Sequence, residues 1–146
     1  MIPEFNSEGL LPPGIHSCTW TEFLKRFGTN PRRLQLIDGL KRAILALRLA
    51  GCQAIYVDGS FVTSKIVPGD YDACWDAVNV KIALLDPVFL MFAPGRVAMK
   101  SKYLGDWFPA QMQEGTSGIT FLDFFQKDKN TGDPKGIIRL ETRGIL

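Results

Sequence analysis

Apolar residues recur every three or four positions between Asn30 and Gly51, which is the spacing of a helix with one buried face. Asn30 suits the N-cap, Pro31 suits the first helical position, and Gly51 suits the left-handed stop after a helix. The apolar positions are Leu34, Ile37, Leu40, Ile44 and Leu47. Basic residues fall mostly off this stripe, and we interpret them as a solvated face rather than a nucleic-acid contact: Arg32, Arg33, Lys41, Arg42 and Arg48.

Shorter patterns predict further elements on both sides of this helix. Residues 19–27 are typical of a helix, because Thr19 and Glu22 have the spacing of a capping box. We expect a helical piece over 80–92, interrupted at Pro87, and a phenylalanine-rich helix capped by Ser117. Runs rich in β-branched and aromatic residues predict strands at 54–57, 70–75, 103–108 and 137–140.

The order of these elements predicts the fold class. Strands that alternate with helices, with a strand at the end, are typical of an α/β or α+β layered domain. We therefore expect a mixed central sheet of about four or five strands, flanked by helices. The 146 residues suit one domain, 1–146, in which the proline- and glycine-rich segment 1–17 forms an extended N-terminal arm.

Composition and charge exclude several classes of function. The formal charge of +2 argues against a polybasic nucleic-acid binder, and no apolar run reaches the ~18 residues of a membrane span. The first nine residues lack a secretory pattern, and three scattered cysteines indicate reduced thiols, so a cytoplasmic location is expected. With His16 as the single histidine, a structural zinc site and a Ser-His-Asp triad are disfavoured.

Two aspartates carry the clearest chemical signal. On a strand, Asp70 and Asp72 point to the same face, where their mutual repulsion favours a bound cation such as Mg²⁺. Directly after the preceding strand, Gly59 lets the backbone approach a phosphate, and Ser60 offers a backbone N–H and a hydroxyl. A phosphate cradle beside a metal site is therefore predicted.

An apolar strand followed by Gly-Ser, nine residues and Asp-x-Asp resembles the signature of the DNA polymerase β-like nucleotidyltransferases. The match runs from Val57 to Asp72, and Asp58 stands where that family more usually has an apolar residue. The wider segment is similar to short prokaryotic members from toxin–antitoxin and phage-defence loci. The resemblance implies a nucleotidyltransferase-like core around this motif.

The resemblance also implies a chemistry and a set of site residues. Such enzymes hold two Mg²⁺ ions on three carboxylates and transfer an NMP from an NTP such as ATP to a hydroxyl. Asp70 and Asp72 would be two catalytic metal ligands, and Asp106 is the best candidate for the third. Asp76 is a weaker alternative, and Asp86, before Pro87, is better interpreted as a helix cap.

Gly59, Ser60 and Lys65 are the candidate nucleotide-binding residues, although an exposed loop lysine is as often merely solvated. The acceptor would be RNA (a tRNA-like 3′ end) or a protein side chain, with a cognate toxin or antitoxin protein as a further partner and no membrane. Two alternatives stay open: a catalytically inactive binding or antitoxin partner, and an RNA-binding module without chemistry. The tryptophans and phenylalanines are interpreted as core, Tyr71 as packing on the opposite face, and Cys74 as non-catalytic.

Overall fold

The computed structural model, which describes residues 1–145, is built around one mixed five-stranded sheet. Its strands are β1 (Gly14–Ser17), β2 (Ala54–Asp58), β3 (Tyr71–Trp75), β4 (Gly105–Pro109) and β5 (Gly136–Glu141). They lie in the order β1-β5-β2-β3-β4. Strand β2 is antiparallel to both of its neighbours, whereas β1 is parallel to β5 and β4 is parallel to β3. The expected α/β class with a mixed sheet is confirmed.

Within residues 1–145, four α-helices accompany the sheet: α1 (Trp20–Phe27), α2 (Pro31–Leu49), α3 (Val97–Tyr103) and α4 (Phe121–Phe124). The caps of the first two were predicted correctly. Thr19 and Glu22 form a reciprocal capping box, and the Asn30 side chain accepts a hydrogen bond from the Arg33 N–H. Gly51 follows α2 with φ +101°, a left-handed conformation that favours glycine.

Side-chain alternation along the strands gives the sheet one apolar face and an opposite face of mixed character, called the polar face because it carries the aspartates. The apolar face packs with α2, through residues such as Ile55, Val57 and Leu140. Tyr71 lies on this face as predicted, where its hydroxyl donates to the Tyr103 carbonyl and accepts from the Trp107 indole. The opposite face therefore carries the even-numbered residues of β2, β3 and β4, which include three aspartates.

Several sequence predictions of local structure were wrong in detail. Segment 80–92 forms two 3₁₀ turns, Ile82–Leu84 and Pro87–Leu90, instead of a helix, because Pro87 cannot continue the hydrogen-bonding pattern. The phenylalanine-rich helix is a single turn capped by Thr120, not Ser117. The end of the N-terminal arm is not merely laid over the domain, since it pairs with β5 as an edge strand.

Two residues of α2 also differ from the prediction in how exposed they are. Leu34, assigned to the buried stripe, is 52% exposed, whereas Arg33, assigned to the solvated face, is 3% exposed. Strand β4 begins at Gly105, because Tyr103 still belongs to α3. Among residues 1–145, no helix combines the length and apolar character needed to span a bilayer.

Candidate active site

The polar face of the sheet carries a row of aspartates in register. Asp58 on β2 pairs with Asp72 on β3, which in turn pairs with Asp106 on the parallel strand β4. Side chains of register partners lie on the same face. Asp70 lies just before β3, two residues from Asp72, and one oxygen each of Asp70, Asp72 and Asp106 lie within 4.8 Å of one another. The sheet thus brings together the three acids selected from the sequence, and their role as metal ligands stays a prediction.

The two outer aspartates of this row have basic neighbours. Asp106 Oδ2 lies 3.1 Å from Arg96 Nε and 3.8 Å from Lys100 Nζ. Its other oxygen, Oδ1, is buried and has no hydrogen-bond partner among residues 1–145. Asp58 Oδ1 lies 3.2 Å from Lys135 Nζ, outside hydrogen-bond geometry. Each outer carboxylate is neutralised while one buried oxygen keeps the capacity to bind a further ligand.

Asp72, in the middle of the row, has a strongly raised pKa. Burial, followed by the negative charges of Asp70, Asp58 and Asp106, raises the pKa of Asp72 to about 7. Lys135 acts in the opposite direction. A divalent cation among these oxygens would favour the ionised carboxylate, because an opposite charge lowers the pKa of an acid. The donor set, all carboxylate oxygen, suits Mg²⁺ or Mn²⁺.

The turn after β2 requires glycine for two reasons. Gly59 has φ +82°, and a Cβ on it would lie 2.8 Å from Asp72 Oδ2. The backbone therefore passes directly against the carboxylate. Ser60 follows at the start of the 3₁₀ turn Ser60–Val62. The predicted Gly-Ser motif and the predicted acidic pair thus lie in contact.

A cleft of about 570 Å³ opens above the motif, within the size range of small-molecule sites. Gly59, Ser60, Asp70 and Asp72 lie along it, whereas Asp106 does not line it. The remaining wall combines positive charge with two aromatic rings, from Lys65, Lys127, Lys129, Lys135, Phe124 and Phe125. This lining suits a ligand with a strongly anionic part and a planar apolar part.

A second cavity, of about 490 Å³, lies at the end of α2 and contains none of the predicted site residues. Its arginines have other partners. Arg48 donates to the Thr142 and Ile145 carbonyls, and Arg143 pairs with Glu141 at 2.9 Å. These contacts indicate a structural role for the arginines, and the acidic cleft remains the candidate site.

Sequence reasoning missed the two arginines that hold the motif loop. Arg33 donates to the carbonyls of Phe61, Thr63 and Lys65, and Arg32 donates to that of Gly69. The first turn of α2 therefore fixes both ends of the connection between Gly59-Ser60 and Asp70. The spacing along α2 could have indicated that Arg33 is buried, because Arg33 lies four residues before Ile37 and therefore on the same helical face.

Other candidate residues lie apart from the cluster. Asp86 caps the turn Pro87–Leu90, as predicted, and its Oδ2 accepts from Lys102 and the Tyr103 hydroxyl. Asp76, the weaker alternative third acid, accepts from Gln111 outside the cluster. Trp75 and Trp107 are core residues as predicted, but Phe124 and Phe125 are only half-buried at the cleft, so their assignment to the core was wrong.

Comparison with known proteins adds a family but no activity. No curated protein and no solved structure matches the chain. The likeness to polymerase β-like nucleotidyltransferases therefore stays a prediction from the motif. One family model, described as DUF6932, a family of unknown function, matches residues 3–141. Since this match covers nearly the whole sequence, the chain belongs to the DUF6932 family.

Proposed function

We propose that the protein is a divalent-cation-dependent nucleotidyltransferase that transfers an NMP from an NTP to a hydroxyl group. One observation supports this above all: Asp70, Asp72 and Asp106 converge within 4.8 Å beside the Gly59-Ser60 turn of an open, lysine-rimmed cleft. Positioning and charge neutralisation supply most of the catalysis in phosphoryl and nucleotidyl transfer. The cleft combines the residue types that both tasks require.

The carboxylates have distinct tasks in this proposal. Asp70 and Asp72 face the cleft and would hold Mg²⁺, which withdraws charge from the phosphate oxygens when bound. The unpartnered Oδ1 of Asp106 would be the third ligand atom, while Arg96 lies 3.1 Å from the other oxygen of that carboxylate. The buried free oxygen and the raised pKa of Asp72 both fit a cation.

In the transfer itself, the acceptor hydroxyl oxygen attacks the α-phosphorus of the NTP. A new P–O bond forms as the bond from the α-phosphorus to the bridging oxygen breaks, and pyrophosphate leaves with that electron pair. The hydroxyl proton passes to solvent. Lys65, Lys127 and Lys129, which line the cleft, would bind the triphosphate, and Phe124 and Phe125 would stack on the base.

The acceptor we propose is an RNA 3′ end of tRNA type or a protein side chain, in the cytoplasm. The three cysteines, all free thiols, support that location. A role beside a cognate toxin or antitoxin protein is part of the same proposal, and it is supported only by the motif resemblance.

A second candidate function is a catalytically inactive binding or antitoxin partner. Arg96 and Lys100 favour it, because they already neutralise Asp106 as they would a structural carboxylate. In that case Asp106 would be a structural carboxylate paired with basic side chains, and no phosphate chemistry would occur.

Transfer of label from α-³²P-labelled NTPs, with Mg²⁺ and cell extract as the source of acceptors, tests the proposal. Wild type and the matched control Asp123→Asn, an exposed acid outside the cluster, should label RNA or protein. Asp70→Asn and Asp106→Asn should lower labelling on the order of 100-fold or more while keeping the native circular dichroism spectrum. Absence of labelling by folded wild type with every NTP would overturn the transferase and support the binding partner.

A further inference from the structure

Asp58 is a fourth carboxylate of the row and the one that the motif resemblance does not explain. Its side chain is 4% exposed, and it lies on the same face as its register partner Asp72. Asp58 Oδ1 is buried and has no hydrogen-bond partner among residues 1–145. A carboxylate this buried requires a compensating positive charge.

That charge comes from Lys135, which directly precedes β5. Its Nζ lies 3.2 Å from Asp58 Oδ1, and the side chain is 16% exposed. Burial raises the pKa of both Asp58 and Asp72, and the Lys135 ammonium opposes this rise in each, so it acts on both carboxylates. Lys135 also lines the cleft together with Asp58 and Asp72. The ammonium and both acids therefore border the same ligand cavity.

The charges along the sheet edge are arranged unevenly. Arg96 and Lys100 lie at Asp106, and Lys135 lies at Asp58. In the part of the chain that the structure describes, Asp70 and Asp72 form no salt bridge. The uncompensated charge is concentrated at the middle of the row, where one divalent cation would balance it.

We propose that the Lys135 ammonium occupies a second cation position, built by Asp58 and Asp72, so that the centre takes up one divalent ion without nucleotide. The inference rests on the proposed function, because the first position is the metal site at Asp70, Asp72 and Asp106. A tethered ammonium supplies positive charge beside the Gly59-Ser60 turn without recruiting a second ion from solution. Without Lys135, Asp58 and Asp72 form a vacant pair of carboxylates that a second ion fills.

The test counts bound Mn²⁺ in metal-free protein without nucleotide, from the electron paramagnetic resonance signal of free Mn²⁺. Wild type should bind one ion, and Lys135→Met should bind two. The double variant Asp58→Asn/Lys135→Met should return to one, because the second position loses a carboxylate. Lys81→Met, which removes an exposed lysine outside the cleft, is the matched control and should bind one.

The possible results separate this inference from the proposed function. One ion in both wild type and Lys135→Met, or two in the double variant, would overturn the inference alone. No Mn²⁺ bound to folded wild type would overturn the proposed function and the inference with it. If the loss of Lys135 destabilises the metal-free protein, Mn²⁺ should raise the Tm of Lys135→Met more than that of the double variant, and equal rises would again overturn the inference.

Discussion

Arg33 Nη1 donates a 2.7 Å hydrogen bond to the carbonyl of Phe61, and the same guanidinium lies 4.8 Å from the centre of the Phe61 ring. Phe61 directly follows the Gly59-Ser60 turn. The contact therefore joins the first turn of the longest helix to the loop in which a phosphate would bind. Two further carbonyls of that loop accept from Arg33 Nη2, at 3.1 Å and 2.6 Å.

Arg33→Met should lower the free energy of unfolding by roughly 2–4 kcal/mol, because it removes the donor from three loop carbonyls while keeping an apolar stem. Urea denaturation followed by circular dichroism measures this loss. Arg33→Lys should recover part of it, since an ammonium can donate to one or two of the carbonyls.

Arg42→Met is the control from the same helix. Arg42 is exposed, pairs with Asp38 one turn away at 3.1 Å and donates to a single carbonyl, that of Lys102, so its loss should lower the free energy of unfolding by about 1 kcal/mol. If Arg33→Met lowered the free energy of unfolding no more than Arg42→Met does, the buried arginine would not be what fixes the loop.

Gly59→Ala tests the close approach between the turn and the acidic pair. The new methyl group would lie 2.8 Å from Asp72 Oδ2 at a residue with φ +82°, so either the turn or the carboxylate must move. We expect Mn²⁺ binding to weaken on the order of tenfold or more and stability to fall by about 1–3 kcal/mol. Mn²⁺ titration calorimetry and urea denaturation report the two effects.

Gly115→Ala is its counterpart, because nothing lies within 4 Å of a Cβ at that position. This variant should bind Mn²⁺ as wild type does. Wild-type Mn²⁺ affinity in Gly59→Ala would contradict the assigned contact.

The parts of the fold that depend on local signals could be predicted from the sequence. Thr19 with Glu22 and Asn30 with Pro31 define helix starts through side-chain hydrogen bonds and backbone preference, which act within four residues. The pair of Asp70 and Asp72 follows in the same way from strand alternation. Predicting that they lie near Asp106 required knowing that β3 pairs with β4, which places Asp72 beside a residue 34 positions later. Only the motif resemblance pointed to that pairing.

What could not be predicted depends on tertiary contacts. Arg33 is buried because three carbonyls of a distant loop satisfy its donors, a compensation that no local pattern reveals. The single-turn helix at Phe121–Phe124 is short despite its aromatic content, because its rings pack on Phe108 and at the cleft rather than along one helical face. Asp58 was noted only as a departure from the motif, and its pairing with Lys135 required the sheet register.

The raised pKa of Asp72 predicts that metal-free protein loses stability as the pH rises. Below about pH 4 this carboxyl is protonated in both the folded and the unfolded protein. Between pH 4 and pH 7 the folded protein keeps a proton that the unfolded chain releases, so rising pH favours unfolding by up to about 1.4 kcal/mol per pH unit. From pH 4.5 to pH 7.5, with EDTA, wild type should lose roughly 2–4 kcal/mol relative to Asp72→Asn.

Urea denaturation at the two pH values measures this difference. Asp123→Asn, at an exposed carboxylate outside the cluster, should follow wild type within about 0.5 kcal/mol. If the free energy of unfolding changed with pH by the same amount in wild type and Asp72→Asn, the repulsion among the aspartates would have to be relieved in some other way.

The same proton should compete with the cation, which links acidity to metal binding. A carboxyl with a pKa of about 7 is mostly protonated at pH 6 and mostly ionised at pH 8, and only the ionised form is a good ligand. The Kd for Mn²⁺ measured by titration calorimetry should therefore be about tenfold higher at pH 6 than at pH 8. In Asp72→Asn the affinity should be lower at both values, and most of the pH dependence should disappear, because the group that exchanges its proton for the ion is gone. A wild-type Kd that stays constant over this range would place the bound ion away from Asp72. Since Asp72 is the acid shared by the metal site and by the position occupied by Lys135, such a result would count against both proposals at once.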